Sequence, residues 1–224
     1  MPNWCDNQIT ITGPNSVIDK IEKIVKEESN NAENGLLQFF HPMPKELLDT
    51  EAGPIAKTKA EKSARQSRKL EFGAENWYDW RVNNWGTKWE VHEFYGVDRQ
   101  YLTEQSEGES TISFAFSSAW SPPIGAYEKF LENNSDCFIR AYYYEGGCDF
   151  MGLWEDGIDD CYAPSDYKST DDFWQDGIGS TLDDTFNITE SMAEYEAEQE
   201  EENRLNEDVY KYSKGEKVNI GEEV

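Results

Sequence analysis

Histidine and cysteine are scarce in these 224 residues, with only His41 and His92 of the first and Cys5, Cys137, Cys148 and Cys161 of the second. No two cysteines form a CxxC pair, so neither a structural zinc nor any other metal centre is expected. Walker A and GxGxxG phosphate loops are missing, and no Gly-x-Ser-x-Gly elbow surrounds Ser117, Ser118 or Ser121. Cys148 follows a glycine pair but has no cationic neighbour in sequence to lower its thiol pKa. The expectation is a protein with no cofactor and no catalytic residues. No apolar run reaches the ~18 residues of a membrane span. The opening Met1-Pro2-Asn3-Trp4 has neither the charged start nor the apolar stretch of a signal peptide. The expected location is the host cytoplasm, with no membrane partner.

Positive charge is the other shortage. Twenty Lys/Arg face 46 Asp/Glu, a net charge of -26. The imbalance is uneven: residues 149–224 hold 23 acidic and 5 basic residues, while residues 1–148 hold 23 and 15. A field of this sign repels DNA, RNA and anionic lipid and steers a basic surface towards the protein. Direct nucleic-acid binding is therefore not expected, whereas a host protein with a basic surface is.

Aromatic surface is plentiful, at 14% of residues within a 37% hydrophobic content, which is enough to build a core. In Gln8-Ile9-Thr10-Ile11-Thr12 the isoleucines alternate with polar residues, and Gly13-Pro14 ends the strand. Val17, Ile18, Ile21, Ile24 and Val25 then recur at helical spacing. The same reasoning predicts strands near 7–12, 89–95, 111–117 and 137–144, and helices near 16–28 and 122–133, with Ser121-Pro122-Pro123 opening the second helix. A Gly146-Gly147 turn and a strand over 149–154 follow. This order is the split pattern of an α+β, ferredoxin-like βαββαβ sandwich. It assigns residues 1–155 to that domain, 32–86 to an insertion after the first helix, and 156–224 to an acidic, partly helical extension. Lys57 to Leu70 favours a basic helix, and Thr189 to Leu205 an acidic one. Glu155-Asp156-Gly157-Ile158-Asp159-Asp160 is rich in hard oxygen ligands, but its glycine comes too early for a calcium loop.

Three separated segments share tryptophan or glycine signatures: Asn84-Trp85-Gly86-Thr87-Lys88-Trp89, Phe116-Ser117-Ser118-Ala119-Trp120-Ser121-Pro122-Pro123 and Tyr144-Glu145-Gly146-Gly147-Cys148-Asp149-Phe150. Together with Met1-Pro2-Asn3-Trp4-Cys5-Asp6-Asn7 they resemble the YubB ferredoxin-like family of bacteriophage and plasmid proteins. The resemblance covers residues 1–155 and implies the ferredoxin-like fold and a mobile-element origin, without an established chemistry.

The residues expected to bind are Trp85, Trp89, Trp120 and Glu145, which should converge, together with Lys88. A tryptophan ring closes a core as well as it stacks on a ligand, so core and pocket both stand open for these residues. Lys88 is expected either to pair with Glu145 or to meet an anionic ligand. Along the acidic helix, Glu194, Glu196, Glu198, Glu200, Glu201 and Glu202 are the candidates for a basic partner. The leading expectation is a non-enzymatic phage or mobile-element protein that binds a host target through its acidic surface, a counter-defence inhibitor whose carboxylates stand in for nucleic-acid phosphates. The alternatives are a small-ligand binder or sponge with a Trp-lined pocket for a nucleotide-like anion, and an enzyme on the same scaffold.

Overall fold

A computed structural model describes residues 3–27, 34–53, 58–102 and 108–213. The chain divides into two compact units, Met1–Ala163 and Pro164–Val224.

The first unit is built on a six-stranded antiparallel sheet of β1 (Trp4–Pro14), β2 (Tyr95–Tyr101), β3 (Glu109–Ala119), β4 (Phe138–Glu145), β5 (Phe150–Glu155) and β6 (Ile158–Tyr162), in the order β2-β3-β1-β4-β5-β6. β1 is a central strand, paired with β3 from Trp4↔Ala119 to Pro14↔Glu109 and with β4 from Asp6↔Tyr144 to Thr12↔Phe138. Its period-two alternation sends Ile9 and Ile11 inward beside Ile112, Phe114, Phe116, Ile139 and Ala141. The opposite face carries the hydroxyl pairs Thr10–Ser113 and Thr12–Thr111. Burying an Ile or Phe is worth roughly 1.5–3 kcal/mol and a cross-strand hydroxyl pair about 0.2–1, so the inner face decides the register.

Helices α1 (Asn15–Glu27) and α5 (Ile124–Asn133) pack on that inner face through Ile18, Ile21 and Val25, and through Ala126, Tyr127 and Phe130. The segment between α1 and β2 holds α2 (Leu36–Phe40), α3 (Lys59–Phe72) and α4 (Trp77–Asn84). Thr58 and Asn76 cap α3 and α4 by accepting from the backbone N–H groups of Glu61 and Asp79. The basic helix expected here is α3, but Arg65 is buried in it, donating to Gly53 O and to Glu61. Lys57 lies outside the described residues.

Four expectations are corrected. The strand predicted over 89–95 begins only at Tyr95. Glu90 turns inward instead of alternating, because its carboxylate accepts the Leu37, Gln38 and Val91 N–H groups at 2.7, 3.0 and 3.2 Å, and Glu93 then adopts φ +58°. Ser121 does not cap α5; its hydroxyl donates to Gly86 O at 2.5 Å. Glu145 pairs with Phe150, so the β4–β5 connection is four residues long, a 3-10 turn with Asp149 left-handed, rather than a two-residue glycine turn. The sheet also continues past residue 155. Asp156 and Gly157, at φ +46° and +95°, form a two-residue hairpin loop between β5 and β6, so the first unit runs to Ala163. The cluster of acids at 155–160 is thus a hairpin, in which Asp159 accepts the Tyr143 hydroxyl at 2.6 Å.

In the second unit α6 (Thr170–Gln175), α7 (Gly177–Phe186) and α8 (Ile188–Ser213) bury Phe173, Leu182 and Ile188. Gly179 is required there, since a Cβ would sit 2.1 Å from Phe173 O. The Asp183 carboxylate supports the first turn of α8 by accepting the Thr189 N–H and hydroxyl at 2.6 and 2.9 Å. Asn187 is the left-handed residue that ends α7.

Burial raises the Glu90 pKa above the ordinary carboxylate range, and its three N–H bonds and Arg81 only partly oppose this. A carboxyl with a raised folded pKa binds its proton more tightly when folded. Its contribution to stability therefore falls as pH rises from the ordinary value through the folded one. Replacing Glu90 by Gln removes this slope while losing one of two acceptor oxygens at α2, at a cost of about 1–2 kcal/mol. Denaturant unfolding of both proteins across the acid range checks it; the wild type is expected to show the steeper loss on the rising limb.

Candidate functional site

The candidate residues are delivered by two tight backbone contacts. Gly86, at φ +87°, follows α4 and faces Pro122 O, while a Cβ on Gly125 would lie 2.5 Å from Asn84 O. Thr87 fastens the same segment to the end of β3 by donating to Ala119 O at 2.8 Å. The 84–88 stretch is thereby pressed onto the β3–α5 junction, which brings Lys88 to Trp120.

Trp85 points the other way. It is fully buried, packs edge-on to Trp80 at 5.9 Å, and donates its indole N–H to His41 O at 2.7 Å. The Arg81 guanidinium lies 4.8 Å from its ring and 5.3 Å from that of Trp77. Burial lowers the Arg81 pKa and Glu90 opposes the shift. Trp85 is therefore a core residue.

Lys88 sits among three ring faces. Its Nζ is 4.4 Å from the centroid of Trp89, 5.2 Å from that of Trp120 and 5.9 Å from that of Tyr78. Tyr78 and Trp120 meet edge to face at 6.3 Å, and Trp4, half exposed, lies 5.9 Å from Trp89. Tyr78, Trp89 and Trp120 border an open cleft of ≈ 780 Å³ that is also lined by Arg65, Glu75, Asn76, Trp77 and Asp79. Trp120 remains 37% exposed and holds φ +74°, a left-handed backbone that a bulky residue rarely adopts. Among the described residues no carboxylate lies within ion-pairing distance of Lys88.

Glu145 does not join this group. It is buried at the end of β4, accepts the Gly147 N–H at 3.0 Å, and raises the Cys148 thiol pKa above its ordinary value. Cys148 is exposed, and the neighbouring Glu145 carboxylate favours its protonated thiol. Cys5 and Cys137 are buried, with their thiols pushed up mainly by that burial, Cys137 to about 11. Cys161 is exposed. Among the described residues no cluster of His, Cys, Asp and Glu is placed to hold a metal, and no helix is long and apolar enough to cross a membrane.

On α8 the side chains of Glu194, Glu201 and Glu202 are exposed, and Glu201 meets Arg204 at 2.7 Å. The side chains of Glu196, Glu198 and Glu200 lie outside the described ones. Of the residues expected to converge, Lys88, Trp89 and Trp120 lie together, and Tyr78, Trp4 and Asp79, outside that expected set, lie with or next to them. Tyr78 was legible only as part of an aromatic run, Trp77-Tyr78-Asp79-Trp80, whose facing direction depends on where α4 packs.

No protein-family model matches the chain, and no curated protein does. Among solved structures the chain is similar to the crystal structure of api92 from Yersinia pseudotuberculosis, of family DUF1281, at 13% identity over 75% of this chain and 96% of that one. The TM-score is 0.34, and at that value the likeness carries neither fold nor function across.

The two tryptophans should separate in mutagenesis. Trp85→Ala empties a filled core site and is expected to cost about 3–5 kcal/mol. Trp120→Gly relieves a left-handed backbone while removing a partly exposed ring, so its stability change should stay within about 1 kcal/mol. Urea titrations of the two variants give the comparison, and equal losses would contradict the core and surface assignments.

Proposed function

We propose that this is a non-enzymatic binding protein of a phage or related mobile element, and that its target is a basic surface on a host protein. The observation that carries the reading is α8, a 26-residue helix whose described side chains from Glu190 onwards are largely exposed. It lies in a stretch, residues 164–224, that holds 18 acidic and 5 basic residues. Beyond Ile188 the helix buries no described side chain, so its exposed carboxylates present charge at helical spacing, as phosphates are presented along a duplex. On this reading the protein is a counter-defence inhibitor that occupies a groove built for nucleic acid.

The ferredoxin-like description of the first unit belongs to the same proposal. Its support is the strand order β2-β3-β1-β4, with α1 following β1 and α5 following β3, which is the order a split βαβ pair requires. β5 and β6 are then additions at one edge. The mobile-element origin rests on the resemblance of residues 1–155 to the YubB family.

A small anionic ligand in the cleft is the weaker alternative. Lys88 and Arg65 are the cations it would need, but Arg65 already donates to Gly53 O and Glu61, and Glu75 and Asp79 share the lining.

Charge and salt test the reading together. Affinity purification from host lysate is expected to recover a basic protein at low salt. Recovery should fall steeply by ~0.15 M ionic strength, where the Debye length is about 8 Å. Changing Glu194, Glu196, Glu198, Glu200, Glu201 and Glu202 to Lys preserves helix propensity and reverses only the field, so capture should be lost with helicity unchanged by circular dichroism. Undiminished capture by that variant at low salt would sink the role of α8.

A further inference from the structure

We infer that Tyr78, Trp89 and Trp120 form a cage for a lysine-type ammonium contributed by a basic protein partner, and that Lys88 is the internal occupant such a side chain displaces. The inference rests on the proposed basic partner and adds a specific subsite for it. Three ring faces within 4.4–5.9 Å of one ammonium already show which chemistry the cage accepts, because the negative faces of aromatic rings attract a cation. Lys88 is held there by rings alone among the described residues, so an incoming ammonium breaks no ion pair when it takes its place.

Two further observations point the same way. Asp79 lines the cleft with one oxygen engaged by Asn76 Nδ2 at 2.7 Å, and among the described residues its other oxygen has no donor. Glu75 lines it as well, and among the described residues its one ion pair is a contact with Lys69 at 3.9 Å. Arg65 lines the cleft too, but its guanidinium is already taken up by Gly53 O and Glu61, so once Lys88 is displaced an entering cation meets Glu75 and Asp79 within the field of a chain with net charge -26. Trp120, for its part, keeps a φ of +74° where glycine would be unstrained, and a strained bulky residue is retained where its side chain is needed in place. Its ring is the exposed wall of the cage.

The test follows the indole N–H resonances of Trp89 and Trp120 in the full chain during titration with tetramethylammonium chloride and, separately, with a short oligolysine. Both probes are expected to shift these two resonances. Lys88→Met keeps the apolar stem and removes the competing charge. It should tighten both probes about fivefold, the factor that ~1 kcal/mol of lost competition corresponds to. Trp120→Gly should abolish the shifts. Equal or weaker binding by Lys88→Met overturns the cage, as does an adenosine monophosphate titration that moves the same resonances and fails in Lys88→Met. If oligolysine binds without moving either resonance and is lost only on reversing the α8 charges, the cage falls while the basic-partner reading stands. If oligolysine does not bind the wild type at all, both fall.

Discussion

The close approach of the α4 C-terminus to the α5 N-terminus is the constraint on which the candidate site depends. Two glycines make it possible, because a Cβ on Gly125 would enter the van der Waals envelope of Asn84 O and Gly86 must turn at positive φ beneath Pro122 O. Thr87 and Ser121 then lock the two segments together by donating to Ala119 O and Gly86 O. With these contacts made, Trp85 is driven into the core and Lys88, three residues on, emerges among Trp89, Trp120 and Tyr78. One backbone contact thus sorts the tryptophans of two motifs into core and surface.

The same region shows how buried charge is managed in so acidic a chain. Arg81 lies between the rings of Trp77 and Trp85, and Glu90 lies under the first turn of α2, each taken out of water at a cost that shifts its pKa towards the neutral form. Neither group is left bare: the guanidinium has two ring faces, and the carboxylate has three backbone N–H donors. Removing either leaves the other more exposed to the penalty of an uncompensated buried charge, which is the larger effect at such sites. The excess of carboxylates on α8 carries no such burial cost, because the described ones stay in water. Acidity in this protein therefore falls into two physical kinds, one buried and structural, the other solvated.

Strong periodicity made the sheet and its helices legible in the sequence. β1, β3, β4, α1 and α5 lie where alternation or 3.6-residue spacing places them, since a buried apolar face fixes which residues point inward whatever else the chain does. The segment from 89 to 94 misled because its apolar and polar residues alternate like a strand, while Glu90 answers to α2, more than fifty residues earlier in the chain. Asp156-Gly157 was readable as a hairpin turn and was hidden by the acids around it.

Composition and local pattern by themselves determined the sign and location of the charge, the α+β class, the inner faces of the main strands and the small set of aromatic motifs. Those properties are set by residue type and by spacing of a few positions, which the sequence displays directly. Only the tertiary structure decided that Trp85 is core while Trp89 and Trp120 are surface, that Glu145 serves a turn, and that Tyr78 and Asp79 belong beside Lys88. Each of these depends on contacts between residues tens of positions apart, and a side chain's chemistry is the same in a core, a turn or a cleft until packing gives it neighbours.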